Sequence, residues 1–380
     1  MVEHNKTKIL RIIARMNVGG PAIQVTNLMT QLDPMKFEQL LVTGYCDTDE
    51  IDYLDSASLN FPVARIDGLG RAINFTSDFK ALLQLRKIIN SFSPDIIHTH
   101  TAKAGFLGRI AYLTTPKKRK TVHTFHGHLL FGYFSSIKTK LVVTVEKLLA
   151  TQTDVLVTVG EKVRDDLLDA KVGVKSQFRI VKPGIRIGQL PRADEARRSL
   201  GIQDDAFCIL FLGRLVKIKS PERILEIAQV LTKFESNFVF LIAGGGPEYE
   251  NLVKATSERN MNLKFLGWRS DVETLLSAAN IVILTSQNEG TPISLIQAQL
   301  AGTPVISTKV GSAPEVVSDG KSGFILDYDP EEFARLILKL SKSKELMREL
   351  SSNALIFARN NFSVESFIAN YSQIYKSLNS

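Results

Sequence analysis

The sequence lacks the features that mark several large classes of protein. No apolar run reaches the roughly 18 to 20 residues that span a bilayer, and the first residues, MVEHNKTKILRII, contain no apolar segment ending in small residues. Neither a transmembrane segment nor a secretory signal is therefore expected. The two cysteines, Cys46 and Cys208, lie in different halves and cannot make a disulfide framework or a zinc site of their own. These absences predict a cytoplasmic protein.

Repeats and strong compositional bias are also missing. The 13 prolines and 24 glycines are scattered without a period, and leucine, isoleucine and valine are plentiful. This composition excludes a collagen, a coiled coil and a disordered chain. What is present is a globular composition, because 380 residues, 44% of them hydrophobic, are enough for two domains with separate cores.

Positive charge is concentrated in the first half of the chain. The net charge is +8, and residues 1–182 hold 25 basic and 17 acidic side chains. No Asp or Glu falls between Asp95 and Glu146, although this acid-free stretch contains Lys103, Arg109, Lys117, Lys118, Arg119, Lys120, Lys138 and Lys140. A solvated face explains such a stretch, and so does a surface for an anionic membrane or an anionic acceptor, with nucleic acid a lesser candidate.

Short β-branched runs alternate with amphipathic stretches along the whole chain, the pattern of parallel sheets covered by helices on both faces. In the first half, strands are predicted at 10–15, 39–45, 95–100, 120–126 and 154–160, and helices at 22–32, 76–92, 103–113, 137–150 and 161–170. In the second half, strands are predicted at 208–213, 237–244, 262–267, 280–286, 304–309 and 322–327. A polar segment places the domain junction near 183–205. We therefore predict an α/β fold of two doubly wound domains that bind ligands at the carboxyl ends of their strands.

Three glycine-containing loops follow predicted strands and suit phosphate. Gly213 allows a ligand to approach the backbone, and Arg214 and Lys219 offer two cations for a diphosphate. The loops at 244–246 and 19–21 would present backbone N–H groups at the start of a helix. A solvated loop is the alternative interpretation of each.

The segment TSQNEGTPISLIQAQLAGTPVIS, residues 285–307, is the most specific one. Glu289 is left in a loop after a strand, and Pro292 is expected to be the first residue of a helix that runs to Ala301 and stops at Gly302. Glu289 would accept hydrogen bonds from hydroxyls. An anion would face the N–H groups at the helix start, which are those of Thr291, Ile293 and Ser294.

Histidines cluster at two predicted strand ends. Five of the six lie within 31 residues: His98, His100, His123, His126 and His128. The spacing His-x-His on a strand occurs among metal ligands, but no histidine follows position 128, so a metal site is not the expected reading. From the residues alone, His98, His100 and His123 either line an acceptor cleft or cap strands.

Together these segments resemble the retaining glycosyltransferases of family GT4. The family pattern G-R-L-x-x-x-K-G is matched by GRLVKIKS, and E-G-x-P-x-x-x-x-E is matched by EGTPISLIQ. The likeness extends to the GGPA loop, the DIIHTH strand, the TFHG segment, GSAPEVV and a final aromatic helix. It implies a GT-B fold with an N-terminal acceptor-binding domain over residues 1–185, a C-terminal nucleotide-sugar-binding domain over 186–357, and a last helix, 358–380, that returns to the first domain.

The resemblance also implies which residues act. Arg214 and Lys219 would neutralise the departing diphosphate, Glu289 would position the sugar, and His126 would reach the sugar from the N-terminal domain. Trp268 and Arg269 are expected to wall the nucleotide base. The other donor-binding residues implied are Gly19, Gly20, Gly213, Gly245, Gly290, Thr291, Pro292, Ile293 and Gln297. Neither a covalent nucleophile nor a metal or other cofactor is expected, and UDP is the expected nucleotide.

Two positions depart from the family pattern. Ser220 replaces a glycine and is expected to add a hydroxyl donor to phosphate. Gln297 replaces the second acidic residue, which in the family receives the ribose hydroxyls. A neutral amide accepts such a bond about 1 kcal/mol more weakly than a carboxylate does. The departure at Gln297 therefore bears on donor affinity and leaves the fold untouched.

The sequence thus predicts a retaining, metal-independent glycosyltransferase that moves a sugar from a UDP-sugar to a glycan or lipid-linked acceptor of a cell-surface polysaccharide. The alternatives are a nucleotide-sugar epimerase of the same shape and a non-catalytic basic binding module. Nucleic acid is not an expected partner of the enzyme. The segment LLFGYFSSIKTKLVV, residues 129–143, is expected either to be a buried helix or to rest on the anionic inner leaflet of the cell membrane.

Overall fold

The computed structural model describes residues 6–379 except 49, 57–58, 71, 128–135, 235–236 and 258–260. The chain packs as two compact units, one formed by Met1–Gly184 with Val364–Ser380 and the other by Ile185–Ser363. Leu130, Phe131 and Phe134 of the expected membrane segment fall outside the described residues, as does His128.

The first unit is a parallel sheet wound on both faces by helices. Up to the 3₁₀ turn Lys175–Gln177, its elements are β1 (Thr7–Ile13), α1 (Gly20–Gln31), β2 (Phe37–Thr43), α2 (Tyr53–Ser56), β3 (Val63–Arg65), α3 (Phe75–Phe92), β4 (Ile96–His100), α4 (Ala102–Leu113), β5 (Lys120–Phe125), α5 (Ser136–Ala150), β6 (Val155–Thr158) and α6 (Glu161–Asp169). The unit continues with β7 (Phe178–Ile180) and, from the end of the chain, α15 (Val364–Asn379). In the part of the chain that the structure describes, the strand order is β3-β2-β1-β4-β5-β6-β7.

The order of this sheet reverses beside β1, whose neighbours are β2 and β4. The loops after β1 and β4 therefore diverge at the sheet's carboxyl edge, where doubly wound folds bind ligands. One face of the sheet packs against α1 and α15, with Leu28, Phe367 and Tyr371 in the core. The opposite face packs against α3 and α4, with Leu85, Ile89 and Leu107 in the core.

The second unit repeats this architecture. Its elements are α7 (Ala193–Ser199), β8 (Phe207–Leu212), the 3₁₀ turn Lys217–Lys219, α8 (Glu222–Leu231), β9 (Phe238–Ala243), α9 (Tyr249–Ser257), β10 (Leu263–Gly267), α10 (Val272–Ala278), β11 (Ile281–Leu284), α11 (Ile293–Leu300), β12 (Val305–Thr308), α12 (Ala313–Val316), β13 (Gly323–Leu326), α13 (Pro330–Ser341) and α14 (Lys344–Asn361). Its described strands follow the order β10-β9-β8-β11-β12-β13, and all pairs are parallel. The predicted fold of two doubly wound α/β sheets is confirmed.

The last segment differs in detail from the expected 358–380. Helix α14 continues to Asn361, and the N–H of Phe362 donates the last hydrogen bond of the helix. Helix α15 begins at Val364. Buried Ala354 and Ala358 keep the last turns of α14 packed against the second unit's own residues, so the chain leaves that unit only after Ser363.

Candidate functional site

The second sheet reverses its strand order at β8, which lies between β9 and β11. The loops after β8 and β11 therefore meet at the carboxyl edge of the sheet. They are held together by hydrogen bonds from the Gln287 N–H to the Ile218 carbonyl (2.8 Å) and from Thr285 Oγ1 to the Ser220 carbonyl (3.1 Å). This contact brings the predicted cation loop and the predicted acidic loop into one site.

Lys219 and Glu289 form an ion pair at this junction. The distance from Lys219 Nζ to Glu289 Oε1 is 2.5 Å, and Ser286 Oγ donates to the same oxygen over 2.5 Å. The Glu289 side chain is only 8% exposed, whereas that of Lys219 is 21% exposed. The carboxylate is thus fixed in place by two donors, and the ammonium remains accessible to a ligand.

Arg214 is the second cation of the site. It follows Gly213 at the end of β8 and is exposed, and among the residues that the structure describes its guanidinium has no hydrogen-bond or ion-pair partner. The next residue, Leu215, is fully buried and donates its N–H to the Gly245 carbonyl over 2.8 Å. Arg214 therefore extends from a fixed backbone with its five N–H donors available to an anion.

The glycine loop at 244–246 packs against the backbone of the Arg214 loop. A Cβ at Gly244 would overlap the Gly213 carbonyl oxygen, and both Gly244 and Gly246 have φ of +148°, a conformation that favours glycine. Gly245, in contrast, faces open space on the side where a Cβ would lie. The loop thus permits close packing against the Arg214 backbone and leaves Gly245 accessible.

Ser220 does not have the role that the sequence suggested. Its backbone is left-handed, with φ 44° and ψ 55°, and the residue is completely buried. Its hydroxyl donates to the Lys217 carbonyl (3.3 Å) and accepts from Gln287 Nε2 (2.7 Å). The expectation of an added donor to phosphate is therefore wrong, because the hydroxyl is used to brace the two loops.

The acidic loop leads into α11 one residue later than expected. Pro292 is the residue that precedes the helix, with ψ of 97°, and α11 begins at Ile293 instead of at the proline. Gly290 and Thr291 lie between Glu289 and this start. The backbone N–H groups at the start of α11 thus lie close in sequence to the Lys219–Glu289 pair.

Gly311 is a site residue that the sequence analysis did not single out. Its φ is +50°, and a Cβ there would overlap the Glu289 carbonyl oxygen, which also accepts the Ser312 N–H over 3.3 Å. The loop after β12 therefore packs directly under Glu289. The motif GSAPEVV contained the signal, since a glycine in the loop after a strand permits a close backbone approach.

Gln297 and its neighbour Gln299 have different environments on α11. The amide of Gln299 is buried and donates to the carbonyls of Leu295 (3.1 Å) and Val316 (2.7 Å). Gln297 is half-buried, and within the described residues its side chain has no hydrogen-bond partner. Gln297 is thus available to a ligand, whereas Gln299 is structural.

Trp268 and Arg269 follow β10 directly. Trp268 is 43% exposed. Arg269 forms a two-pronged pair with Asp271, over 2.7 Å from Nε and 2.6 Å from NH2, and this hydrogen bonding raises the pKa of Arg269. The Arg269 charge is therefore already balanced, which leaves Trp268 as the member of the pair with a free apolar surface.

In the first unit, the structure places Gly19 and Gly20 at the start of α1, directly after the loop that follows β1. At the carboxyl end of β4, His100 contacts His126, with 3.0 Å between His100 Nδ1 and His126 Nε2. The other ring nitrogens, His100 Nε2 and His126 Nδ1, are buried without a hydrogen-bond partner in the described structure. Burial lowers the pKa of His126 to about 3 and that of His100 well below its usual value. Both rings are therefore neutral at pH 7 and offer unused polar atoms to a ligand.

His98 lies beneath α15 and is completely buried. Its Nδ1 accepts from Arg11 NH1 (2.7 Å), and its Nε2 contacts Thr124 Oγ1 (2.8 Å), which in turn contacts the Tyr371 hydroxyl (2.9 Å). Burial and the Arg11 charge lower the pKa of His98 well below its usual value. These contacts make His98 a packing residue in the core of the N-terminal unit, a role that neither sequence-based alternative named.

His123 lies on the opposite face of the sheet, beneath α4. Its Nδ1 contacts Thr99 Oγ1 (2.8 Å), and a Cβ at Gly105 would overlap its ring. Burial lowers the pKa of His123 well below its usual value. His123 thus has a packing role too, and of the three expected acceptor-side histidines only His100 reaches a strand end with an unused ring atom.

Much of the charge of the acid-free stretch is used inside the unit. Arg109 pairs with Glu146 (2.7 Å) and Lys103 with Asp78 (2.7 Å), both largely buried. Arg119 is 8% exposed and donates to the Lys117 carbonyl (2.9 Å). The cations of this stretch that remain exposed without a described partner are Lys117, Lys118 and Lys140.

Family models match both units. The model described as "Glycosyltransferase Family 4" matches residues 18–189, and "Glycosyl transferases group 1" matches residues 192–356. A UDP-Gal:alpha-D-GlcNAc-diphosphoundecaprenol alpha-1,3-galactosyltransferase of Escherichia coli is 28% identical over 90% of each chain. The putative glycosyltransferase EpsD of Bacillus subtilis is 28% identical over 70% of this chain and 72% of its own.

Solved structures show the same fold. Anabaena HepE in complex with UDP has a TM-score of 0.81 at 20% identity, covering 98% of this chain and 100% of its own. WaaG, a glycosyltransferase involved in lipopolysaccharide biosynthesis, has a TM-score of 0.76 at 16% identity, covering 97% of this chain and 99% of its own. With both units matched by family models, the chain belongs to the glycosyltransferases of the GT-B fold that carry an N-terminal family 4 domain and a C-terminal group 1 domain.

Proposed function

We propose that this glycosyltransferase moves a sugar, with retention of configuration, from a UDP-sugar to a lipid-linked or glycan acceptor in cell-surface polysaccharide synthesis. The observation that carries the proposal is the pairing of Lys219 with Glu289 beside the unpartnered Arg214, at the strand-order reversal of the C-terminal sheet. The Escherichia coli relative, named for a UDP-galactose donor and a diphosphoundecaprenol acceptor, supports the choice of substrates.

The hard step in this chemistry is departure of UDP from the anomeric carbon. Arg214 and Lys219 would neutralise the two phosphates, and backbone N–H groups at the start of α11 would add to this field. As the bond from the anomeric carbon to the phosphate oxygen breaks, the acceptor oxygen bonds to that carbon on the same face. The acceptor proton passes to the departing phosphate oxygen, so neither a covalent nucleophile nor a metal is needed.

Glu289 would act on the sugar once the diphosphate draws Lys219 away. Its carboxylate is held by Ser286, so it can accept hydrogen bonds from sugar hydroxyls without moving. In the N-terminal domain, His126 and His100 would meet hydroxyls with their unpartnered ring nitrogens, and Gly19 and Gly20 would present backbone at the start of α1. These roles are assigned by chemistry and by the family resemblance.

Neither alternative function gains support from the comparisons. A nucleotide-sugar epimerase would convert the donor alone and needs no acceptor. A binding module does not require a buried carboxylate paired with Lys219 next to the exposed Arg214. Incubation of the UDP-sugar without acceptor separates the first alternative from transfer, because only an epimerase converts the donor into an epimeric sugar.

The first test is a thermal-shift and transfer screen with UDP-, GDP- and ADP-sugars. We expect a UDP-sugar to raise the unfolding temperature, since the ligand binds only the folded state, and to be consumed when a lipid-linked acceptor is added. Transfer is expected to persist in EDTA. Activity that EDTA abolishes and a divalent ion restores would refute metal independence, and stabilisation by GDP- or ADP-sugars alone would refute UDP.

A second test concerns Gln297. Gln297→Glu is expected to keep or tighten donor binding, and Gln297→Ala to raise KM by roughly fivefold with little change in kcat, because ribose contacts act equally on ground and transition states. Gln299→Ala is the matched control, and it is expected to act on stability because its amide is buried. A large fall in kcat at saturating donor for Gln297→Ala would place this side chain on the sugar.

The proposed place of action is the inner face of the cell membrane. None of the helices in the described part of the chain is long and apolar enough to cross a bilayer. Attachment to an anionic leaflet would bring the enzyme to lipid-linked acceptors. Four consecutive basic residues of the acid-free stretch, 117–120, are candidates for this contact. Arg119 is turned inward and Lys120 Nζ lies 3.8 Å from Asp154 Oδ1, so these four residues offer fewer free cations than the sequence suggests.

A further inference from the structure

The outward side of α3 carries large apolar side chains that the rest of the unit does not cover. Phe75 is 90% exposed, Phe79 60% and Leu83 48%, and Ile73 just before the helix is 78% exposed. Asn74 caps the helix, its Oδ1 accepting from the N–H groups of Thr76 (3.1 Å) and Ser77 (3.2 Å). The aromatic side chains are therefore held on a helix with a fixed start.

Helical spacing places these residues on one stripe. Phe75, Phe79 and Leu83 recur every four residues, and the core residues Ala81, Leu85 and Ile89 occupy the opposite side. Apolar residues on a stripe that faces away from the core do not contribute to folding. Their exposure therefore indicates contact with something outside the unit.

The charged residues on the outward side of α3 are all basic. Lys80, Arg86 and Lys87 are exposed and have no described carboxylate partner. The acidic residue of α3, Asp78, pairs with Lys103 of α4 over 2.7 Å, and both side chains are less than a fifth exposed. The exposed aromatic stripe is thus flanked by positive charge that nothing in the described unit neutralises.

The two neighbouring helices extend this surface. Helix α3 packs against α4, which also contacts α5. Helix α4 exposes Phe106 (40%) and Leu113 (45%), and α5 exposes Leu141 and Leu148 (66% each). The acidic residue of α5, Glu146, is buried against Arg109. We call the outward side of these three helices the α3–α5 face.

We propose that the α3–α5 face lies on an anionic lipid bilayer, with Phe75 and Phe79 inserted at the boundary of headgroups and acyl chains. Apolar side chains interleaved with lysine and arginine suit this boundary, where the rings enter the lipid and the cations meet phosphates. A protein partner fits less well, because lysine is depleted from the cores of protein interfaces. A shallow depression of about 570 Å³, lined by Leu83, Arg86, Lys87, Asn90 and Ser91, places two cations beside the stripe.

This inference rests on the proposed function in one respect, because contact with the membrane would give the enzyme access to a lipid-linked acceptor. It extends the sequence-based expectation, which concerned the acid-free stretch and the segment 129–143, to α3, which precedes both in the chain. In addition, the apolar side chains that are proposed to insert into the lipid are ones whose exposure the structure describes.

The test is flotation of the full chain with phosphatidylcholine vesicles that do or do not contain phosphatidylglycerol. Phe75→Ser/Phe79→Ser is expected to weaken partitioning into the anionic vesicles at least tenfold, and Arg86→Gln/Lys87→Gln roughly tenfold, the latter loss disappearing at high salt. Matched controls are Met35→Ser, which removes another exposed apolar side chain, and Arg335→Gln/Lys339→Gln on α13. Both controls are expected to partition as the unmodified chain does.

Three outcomes would overturn the proposal: equal binding to neutral vesicles, no binding to anionic ones, and unchanged binding by the phenylalanine variant. If the unmodified chain self-associates and that variant separates the copies without altering vesicle binding, a second copy covers the face instead. An unchanged unfolding temperature and unchanged transfer to a water-soluble acceptor show that the variants are folded. Absence of transfer from every nucleotide sugar would count against the proposed function and leave the vesicle result to decide this inference.

Discussion

Arg214→Ala and Lys219→Ala are each expected to lower kcat by roughly 10²- to 10³-fold, the usual cost of removing one preorganised charge from a developing anion. The two cations lie on one loop, whose backbone is fixed by buried Leu215 and by the contact of Gln287 with Ile218, and both are proposed to bind the diphosphate. In either variant, no neighbouring side chain can take the place of the lost charge, because the loop backbone is held in position. Steady-state rates at saturating UDP-sugar provide the measurement.

Lys217→Ala is the matched control for this experiment. Lys217 belongs to the same 3₁₀ turn as Lys219, but it is exposed and makes no described side-chain contact. We expect its removal to leave kcat nearly unchanged. Near-normal rates for both Arg214→Ala and Lys219→Ala, or an equal loss for Lys217→Ala, would show that the diphosphate lies elsewhere.

Glu146→Gln is expected to destabilise the N-terminal unit by about 3–5 kcal/mol, because it leaves the Arg109 guanidinium buried without a counter-charge. Arg109 is 2% exposed, and its remaining bond is from Nε to the Gly105 carbonyl (2.8 Å). The change is measured by chemical denaturation, following the transition of the N-terminal unit. The double variant Arg109→Met/Glu146→Leu is expected to recover most of this loss, since removing both charges also removes their desolvation cost.

An exposed ion pair serves as the comparison. Lys233 and Glu331 lie 3.2 Å apart with both side chains at least half exposed, and Glu331→Gln is expected to change the denaturation midpoint very little. If the single and double variants at Arg109 and Glu146 prove equally unstable, the loss comes from packing and not from the unpaired charge.

The fold and the loops of the site could be predicted because they depend on local pattern. Buried strands such as β8 and β9 appear as continuous apolar runs, and the loops proposed to bind ligands follow directly after them. What could not be predicted is how distant loops meet. The Lys219–Glu289 pair joins residues 70 positions apart, and nothing in either motif states that the two side chains touch.

Ser220 and His98 show why residue identity alone misleads. Ser220 occupies a left-handed backbone position, so the glycine of the family pattern reflects conformation and the serine hydroxyl has a structural partner. His98 and His123 belong to neighbouring strands but point to opposite faces of the sheet. That difference depends on strand register, which the sequence does not specify. The sequence signal for the packing of His98 in the core was the aromatic spacing of Tyr371 and Tyr375 in the last helix.

The position of α15 in the sequence also determines the order in which the two units can finish folding during synthesis. Tyr371 and Tyr375 fill the core of the N-terminal unit and contact the Thr124 and Arg11 side chains, yet they are translated after the whole C-terminal unit. The N-terminal unit therefore stays incomplete, with apolar sheet surface uncovered, until α15 has been translated. The C-terminal unit, which is continuous from Ile185 to Ser363, has all its residues earlier. A chain arrested between Ser363 and Tyr371 would thus have every residue of its C-terminal unit, while its N-terminal unit would still lack aromatic side chains of its core.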